Sequence, residues 1–268
     1  MSVIDFLLGL SVMPRWLWVV DAGLTGLCIG SFINVLAWRL PRQESILGRS
    51  RCPRCLGVIR CYDNIPVLSF LVLRARCRDC EGPISWRYPL VEFAATALWA
   101  FTIWWFGPTL RGLAASSFLS SLLVVSLIDG EHMIVPDVIS VPLIGTGLFA
   151  AWMGWGPPFN IALVSAAAGG LLIALVVIVT GGGMGTGDII LAAALGANLG
   201  IAGLALALWL SFVLGGAVAT LCVAFRLRGQ KEPIPYGPCL AVAGGIALFA
   251  TPAFSAWCLR TLLIALPL

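Results

Sequence analysis

Charge is scarce in this sequence: only 10% of its 268 residues are charged, against 60% that are hydrophobic, and the mean hydropathy is +1.02. A soluble domain of this length keeps far more charge on its surface, so the composition excludes one and makes lipid the main solvent. Histidine is nearly absent, His132 being the only one, which argues against a Ser-His triad. The glycine-rich stretch that runs to Gly187 lacks the following Lys-Ser/Thr of a phosphate-cradling loop. The N-terminal apolar run Val3 to Met13 carries Asp5 but no basic n-region and no small-residue cleavage site; it is not read as a removed signal peptide, and the chain is expected to insert whole. No internal repeat or low-complexity linker stands out.

What is present is a succession of apolar runs, at about Leu17 to Ala37, Pro89 to Phe106, Leu113 to Ile128, Val138 to Trp155, Ile161 to Thr180, Ile189 to Leu199, Ile201 to Phe225 and Leu240 to Leu266. A spanning helix needs roughly 20 mainly apolar residues, so the fold class is an all-α polytopic membrane protein with about eight transmembrane helices. The sixth run is too short to cross squarely, and the eighth is interrupted by Gly244, Gly245 and Pro252. Ten of the sixteen basic residues (Arg39, Arg42, Arg49, Arg51, Arg54, Arg60, Arg74, Arg76, Arg78 and Arg87) lie between the first two runs. The positive-inside bias places that segment in the cytoplasm and the N-terminus in the periplasm. The alternation then puts Arg226, Arg228 and Lys231 inside and leaves Arg111 as the one basic residue in the outer turns near Gly107 and Gly156. The basic block adjoins the membrane and has no recognisable reading helix, so anionic headgroups, not nucleic acid, are its expected partner. The organisation expected is a first transmembrane segment over 1–38, a cytoplasmic insert over 39–88 and a seven-helix membrane domain over 89–268.

Within the insert, Cys52-Pro-Arg-Cys55 and Cys77-Arg-Asp-Cys80 are two C-x-x-C pairs separated by 21 residues. That spacing lets two knuckles converge on tetrahedral zinc, and four thiolates leave no coordination position open for water, so the expected site is structural. A reducing cytoplasm argues against the alternative of disulfides. The remaining cysteines, Cys28, Cys61, Cys222, Cys239 and Cys258, have no such partner spacing.

Ionisable residues at membrane depth cost at least roughly 2.5 kcal/mol each on insertion scales and are functional candidates by default. Asp129 ends the third run, Asp137 begins the fourth and Asp188 follows Gly185-Thr-Gly187. The expected topology brings all three to the inner face, where two carboxylates from different helices can hold a water between them. In that arrangement an ionised carboxylate takes the proton from water while its protonated partner polarises a scissile carbonyl. Glycines such as Gly185 and Gly187 suit a sharp bend and the close approach of an extended peptide. For Asp137 the favoured reading is a solvated carboxylate near a helix start, supporting and not primary.

These strings together resemble the type IV prepilin peptidases, also called leader peptidase/N-methyltransferases. The resemblance runs through Gly30-Ser31-Phe32-x-Asn34-Val35, the four cysteines, Asp63-Asn64-Ile65-Pro66-Val67-Leu68-Ser69 and Arg87-Tyr88-Pro89-Leu90-Val91-Glu92. It continues through Asp129, Pro136-Asp137, Gly185-x-Gly187-Asp188 and Pro235-Tyr236-Gly237-Pro238. It implies an inner-membrane aspartic endopeptidase that removes the basic leader from prepilins or type II secretion pseudopilins at the cytoplasmic face, with Asp129 and Asp188 as the catalytic pair. It also implies methylation of the new N-terminal amine from S-adenosylmethionine, for which Asn34 and Glu92 are candidate contacts. Interhelical hydrogen bonding by Asn34 and a salt bridge from Glu92 to an arginine such as Arg87 are the competing readings.

One departure stands out: the family commonly carries a lysine two residues after the second aspartate, where this chain has Ile190. A missing cation beside the pair can raise its pKa or alter substrate contacts, so Ile190→Lys is expected to change activity or its pH profile. Two other readings compete. A non-enzymatic scaffold or transporter with a structural zinc site would use its carboxylates for ions, but its ionisable groups belong near mid-membrane. A protease cutting within transmembrane helices would not need the cysteine insert.

Overall fold

The computed structural model describes residues 14–181, 185–225 and 235–265. The run Val3 to Met13, residues 182–184 and the basic loop of Arg226, Arg228 and Lys231 lie outside the described residues. The elements in order are α1 (Arg15–Arg39), the short α2 (Leu68–Val72), α3 (Arg87–Phe106), α4 (Leu110–His132), α5 (Asp137–Trp152), α6 (Phe159–Val179), α7 (Thr186–Ala224) and α8 (Gly237–Ala265). Among the described residues, six helices (α1, α3, α4, α6, α7 and α8) are long and apolar enough to cross a membrane, and α5 is a shorter apolar helix. The chain divides into two compact units, with the boundary inside α4 between Ser120 and Ser121.

In the first unit α1 and α3 pack along Gly26 and Gly30. A Cβ on Gly26 would lie 2.7 Å from the Ala95 carbonyl oxygen, and one on Gly30 would lie 2.6 Å from the Glu92 Cα. Such small-residue contacts are how helices associate where lipid removes the hydrophobic drive. Tryptophans mark both ends of this pair. At one end are the exposed Trp16, Trp104 and Trp105, where Arg15 donates to the Trp104 carbonyl. At the other are Trp86 and Trp38, with the Arg42 guanidinium stacked 3.6 Å from the Trp38 ring centre. Amphipathic rings settle at headgroup level, so these belts bracket the hydrocarbon.

The second unit explains the short sixth run. α7 is interrupted at Gly200, whose φ of 69° and ψ of −176° are not helical. Asp188 begins the first limb within electrostatic reach of Asp129. Gly200 lies beside Pro157, a Cβ there coming 3.1 Å from the Pro157 Cβ. Ser211, on the second limb, is back at Tyr236, 2.7 Å away and next to the residue that bonds Asp129. α7 is therefore a hairpin folded at Gly200, and the eight expected spans correspond to α1, α3, α4, α5, α6, the two limbs of α7, and α8.

The first limb, residues 186–199, is about 21 Å long at 1.5 Å per residue, short of the roughly 30 Å of hydrocarbon. It is enclosed by protein: Leu191, Ala192, Ala194, Leu195 and Ala197 are fully buried. Gly169 of α6 packs on the Ala192 carbonyl and Gly244 of α8 on Leu195, while Asn198 donates to the Leu143 carbonyl of α5 at 3.1 Å. Because most of it is covered by protein, its backbone and side chains depend less on the length that lipid demands. The eighth run is one helix, not an interrupted one: α8 continues through Gly244, Gly245 and Pro252.

Candidate functional site

Asp129, one turn before the end of α4, and Asp188, in the first turn of α7, are each only 5% exposed. Each has one carboxylate oxygen held by the backbone N–H of a glycine. Gly237, at the start of α8, donates to Asp129 Oδ2 at 2.8 Å, and Gly185 donates to Asp188 Oδ2 at 3.2 Å. Asp188 Oδ1 is buried and has no hydrogen-bond partner among the described residues.

At Gly237 and Gly187 the backbone geometry leaves no room for a side chain. A Cβ on Gly237 would lie 2.7 Å from Asp129 Oδ2 and 2.9 Å from its Cγ. A Cβ on Gly187 would lie 2.7 Å from the Val135 Cβ, so Gly187 lets α7 begin against the α4–α5 turn. Gly185 is different: its φ is −73°, and a Cβ there would make an ordinary 3.5 Å contact with Asp188 Oδ2.

Tyr236 anchors the Gly237 donor. The Ser211 hydroxyl donates to the Leu208 carbonyl at 2.8 Å, so in the 2.7 Å contact between Ser211 and Tyr236 the phenol is the donor. Gly215 leaves room for the ring, 3.1 Å from where its own Cβ would be. The string Pro235-Tyr236-Gly237-Pro238 is the only sign in the sequence of this donor, and nothing in it points to Asp129. Asp137, unlike the buried pair, is exposed in the first turn of α5.

The four knuckle sulfurs lie within 4.8 Å of one another, with Cys52 Sγ and Cys80 Sγ 3.9 Å apart. Tetrahedral zinc with Zn–S bonds near 2.3 Å needs sulfurs about 3.8 Å apart, so the donor set fits that ion, and all four are free thiols. Burial pushes the Cys52 thiol up, but hydrogen bonds from the Cys55 and Arg54 backbone outweigh it and hold the thiol at about 7. Cys55, although its Gly57 backbone bond lowers it, is pushed up to about 11 by its bonds to Cys52 and Cys80; without a metal the two share protons, and Cys52 is the readier thiolate.

Contrary to the expectation of no internal repeat, the two knuckles are copies: Arg51-Cys52-x-x-Cys55-x-Gly57-x-Ile59 recurs 25 residues later as Arg76-Cys77-x-x-Cys80-x-Gly82-x-Ile84. The copy extends to the backbone. Cys52 N donates to the Gly57 carbonyl and Cys77 N to that of Gly82, while Leu56 and Glu81 share a positive φ. Beside the second knuckle, Arg78 grips both oxygens of Asp63 at 2.8 and 2.6 Å and holds that carboxyl below the usual carboxylate range.

Asn34 and Glu92 sit between α1 and α3, both buried. Glu92 Oε2 accepts the Val67 N–H at 2.7 Å, and Asn34 Nδ2 donates to the Tyr88 carbonyl at 3.2 Å. Asn34 thus makes an interhelical bond, although its Oδ1 is buried without a partner among the described residues. Glu92 is spent on a backbone amide of the insert. With Gly30 packed against the Glu92 Cα, Asn34 ties α1 to α3 and Glu92 ties α3 to the insert.

Comparison with known proteins agrees with this anatomy. Residues 24–106 match the Bacterial Peptidase A24 N-terminal domain, and residues 116–220 match the Type IV leader peptidase family. A prepilin leader peptidase/N-methyltransferase of Pseudomonas aeruginosa is 37% identical over 254 residues, covering 84% of this chain and 88% of that protein. Proteins of the same name from Aeromonas salmonicida (36% over 279 residues, 92% and 96%) and Burkholderia pseudomallei (35% over 271 residues, 89% and 87%) are similar to it as well. No solved structure matches the chain significantly. With a buried pair of carboxylates in the matched region, a four-cysteine insert, and relatives aligned over most of both chains, this chain belongs to the type IV leader peptidase family.

Proposed function

We propose that the protein is a membrane aspartic endopeptidase that cleaves the leader from type IV prepilins or type II secretion pseudopilins and methylates the new N-terminus. The observation that carries the peptidase reading is the carboxylate pair: two aspartates shielded from solvent, each tied through one oxygen to a glycine N–H, with Asp188 Oδ1 left without a partner. A buried carboxylate oxygen without a hydrogen bond is costly, and a shared proton or an attacking water satisfies it.

In the proposed mechanism the two glycine amides fix the outer oxygens, so the inner oxygens face one water. One carboxylate, ionised, removes a proton from that water as its oxygen attacks the scissile carbonyl; the other, protonated, donates to the carbonyl oxygen. Collapse returns the proton to the leaving amine. The pair titrates as a unit.

The site is assigned to the cytoplasmic face of the bacterial inner membrane, the side on which the basic segment 39–88 faces anionic headgroups. Zinc on Cys52, Cys55, Cys77 and Cys80 holds that segment, which is too small and polar to build its own core. S-adenosylmethionine is the methyl donor that the relatives' activity implies; no step is assigned to Asn34 or Glu92 in that transfer.

The test is cleavage of a purified prepilin by detergent-solubilised wild type, Asp129→Ala and Asp188→Ala, read by mass spectrometry with and without S-adenosylmethionine. Wild type should cut at the leader and add one methyl mass, and each variant should be inactive. Cleavage by either variant would remove the aspartate pair as the catalytic centre.

A further inference from the structure

The short helix α2 is turned the wrong way for a soluble insert. Ser69 and Phe70 are buried, Phe70 against Trp86 with ring centres 4.8 Å apart and Ser69 bonded to Tyr62 and Ile65. Its outward face is Leu68, Leu71 and Val72, at 53%, 63% and 66% exposure. These occupy positions i, i+3 and i+4, one face of a helix. Such a patch in water would be unfavourable.

Its depth is fixed by a contact already described. Val67, whose φ of 59° and ψ of −49° are unusual for a β-branched residue, donates its N–H to Glu92. Glu92 lies six residues after Trp86, about 9 Å of helix rise inside the tryptophan that marks the belt. Side chains lean toward their helix N-terminus, so the Val67 amide is held near the level where α3 enters lipid and not far out in the cytoplasm. On the same stretch of α3, Leu90 and Phe93 are also exposed, as lipid-facing side chains would be. Directly after α2 come Arg74 and Arg76, both exposed.

We infer that α2 is an interfacial anchor: it lies in the plane of the bilayer surface, with Leu68, Leu71 and Val72 among the acyl chains and Arg74 and Arg76 on anionic headgroups. The pattern of apolar face and flanking guanidiniums is that of a monotopic amphipathic segment. The strained Val67 turn and the buried Glu92 carboxylate are the clamp that holds it at this depth. The inference rests on the membrane orientation proposed above but not on peptidase activity.

The test uses the full chain carrying a benzoylphenylalanine photocrosslinker at position 71, or at 72 should that variant not fold, in vesicles of phosphatidylcholine and phosphatidylglycerol. Leu24, exposed on α1, provides the lipid-facing reference. Irradiation should give lipid adducts at 71 at no less than about a third of the yield at 24. The adducts should be enriched in phosphatidylglycerol, and Arg74→Glu/Arg76→Glu should abolish that enrichment. A lower lipid yield, an adduct to another protein or to the prepilin, or equal lipid composition with and without the arginines overturns the inference. None of these readouts depends on cleavage, so a chain that fails to cut prepilin still answers the question.

Discussion

Replacing Gly237 by alanine introduces a Cβ 2.7 Å from Asp129 Oδ2, 2.9 Å from Cγ and 3.0 Å from Cβ. Ordinary contact begins near 3.4 Å, so the carboxylate has to retreat by about 0.7 Å, and a rotation of the oxygen alone cannot relieve all three contacts. The same retreat stretches the 2.8 Å hydrogen bond from Gly237 N–H. A hydrogen bond to a charged group is worth about 1.5–3 kcal/mol, and a misplacement near 1 Å at a reacting centre costs on the order of 100-fold in rate. These describe one displacement and are not multiplied, so Gly237→Ala is expected to lower kcat about 100-fold while KM, set by contacts elsewhere along the leader, changes little. Gly185→Ala is the matched control. It touches the other glycine donor, but its Cβ makes only a 3.5 Å contact and its φ is allowed; kcat should stay within about threefold of wild type. Both are read by single-turnover cleavage of a prepilin in detergent, with circular dichroism confirming the helical fold. A Gly237→Ala protein that folds and turns over at the wild-type rate would refute the positioning argument.

Gly187→Ala should lower cleavage sharply as well, because its Cβ meets the Val135 Cβ at 2.7 Å; Val135→Gly in the same chain, which removes that atom, should recover a measurable part, and no recovery would mean that this contact is not the cause. Cys52→Ser removes one of four zinc ligands and should drop the zinc-to-protein ratio, read by plasma mass spectrometry, and expose residues 39–88 to limited proteolysis. Asp63, held below the usual carboxylate range by Arg78, stabilises the insert fully above its unfolded value near 4, and that contribution is lost as pH falls through its lowered folded value. Carbon NMR of labelled aspartate should find one carboxyl titrating low in wild type and moving up toward 4 in Arg78→Leu; an unmoved titration would remove the ion pair as its cause.

The parts of this molecule that lipid dictates were readable in the chain. A bilayer demands long apolar runs and penalises charge, so the helices, the break at Gly200 and the two isolated aspartates all left marks in composition and spacing. The four cysteines did the same, because a tetrahedral metal site would fix their spacing. The short limb 186–199 is legible as a run too short to cross squarely, but its enclosure by α5, α6 and α8 is a tertiary fact that spacing does not carry. The knuckle repeat escaped because only its arginine, cysteines, glycine and isoleucine recur. A salt bridge from Glu92 to an arginine is one expectation of the sequence; the carboxylate accepts the Val67 amide instead.

What the chain could not reveal is most of the chemistry around the aspartates, because it is made by the backbone. The Gly237 donor is 108 residues from Asp129, and an N–H carries no residue-type signature; only the absence of a side chain betrays it. In lipid this choice has a physical rationale. A lysine or arginine partner would bring a second charge to be desolvated and would hold both carboxylates ionised, whereas an amide fixes an oxygen in place and leaves the pair free to share a proton. Ile190, two residues after Asp188, brings no cation, and glycine amides are the hydrogen-bond donors found on the pair among the described residues.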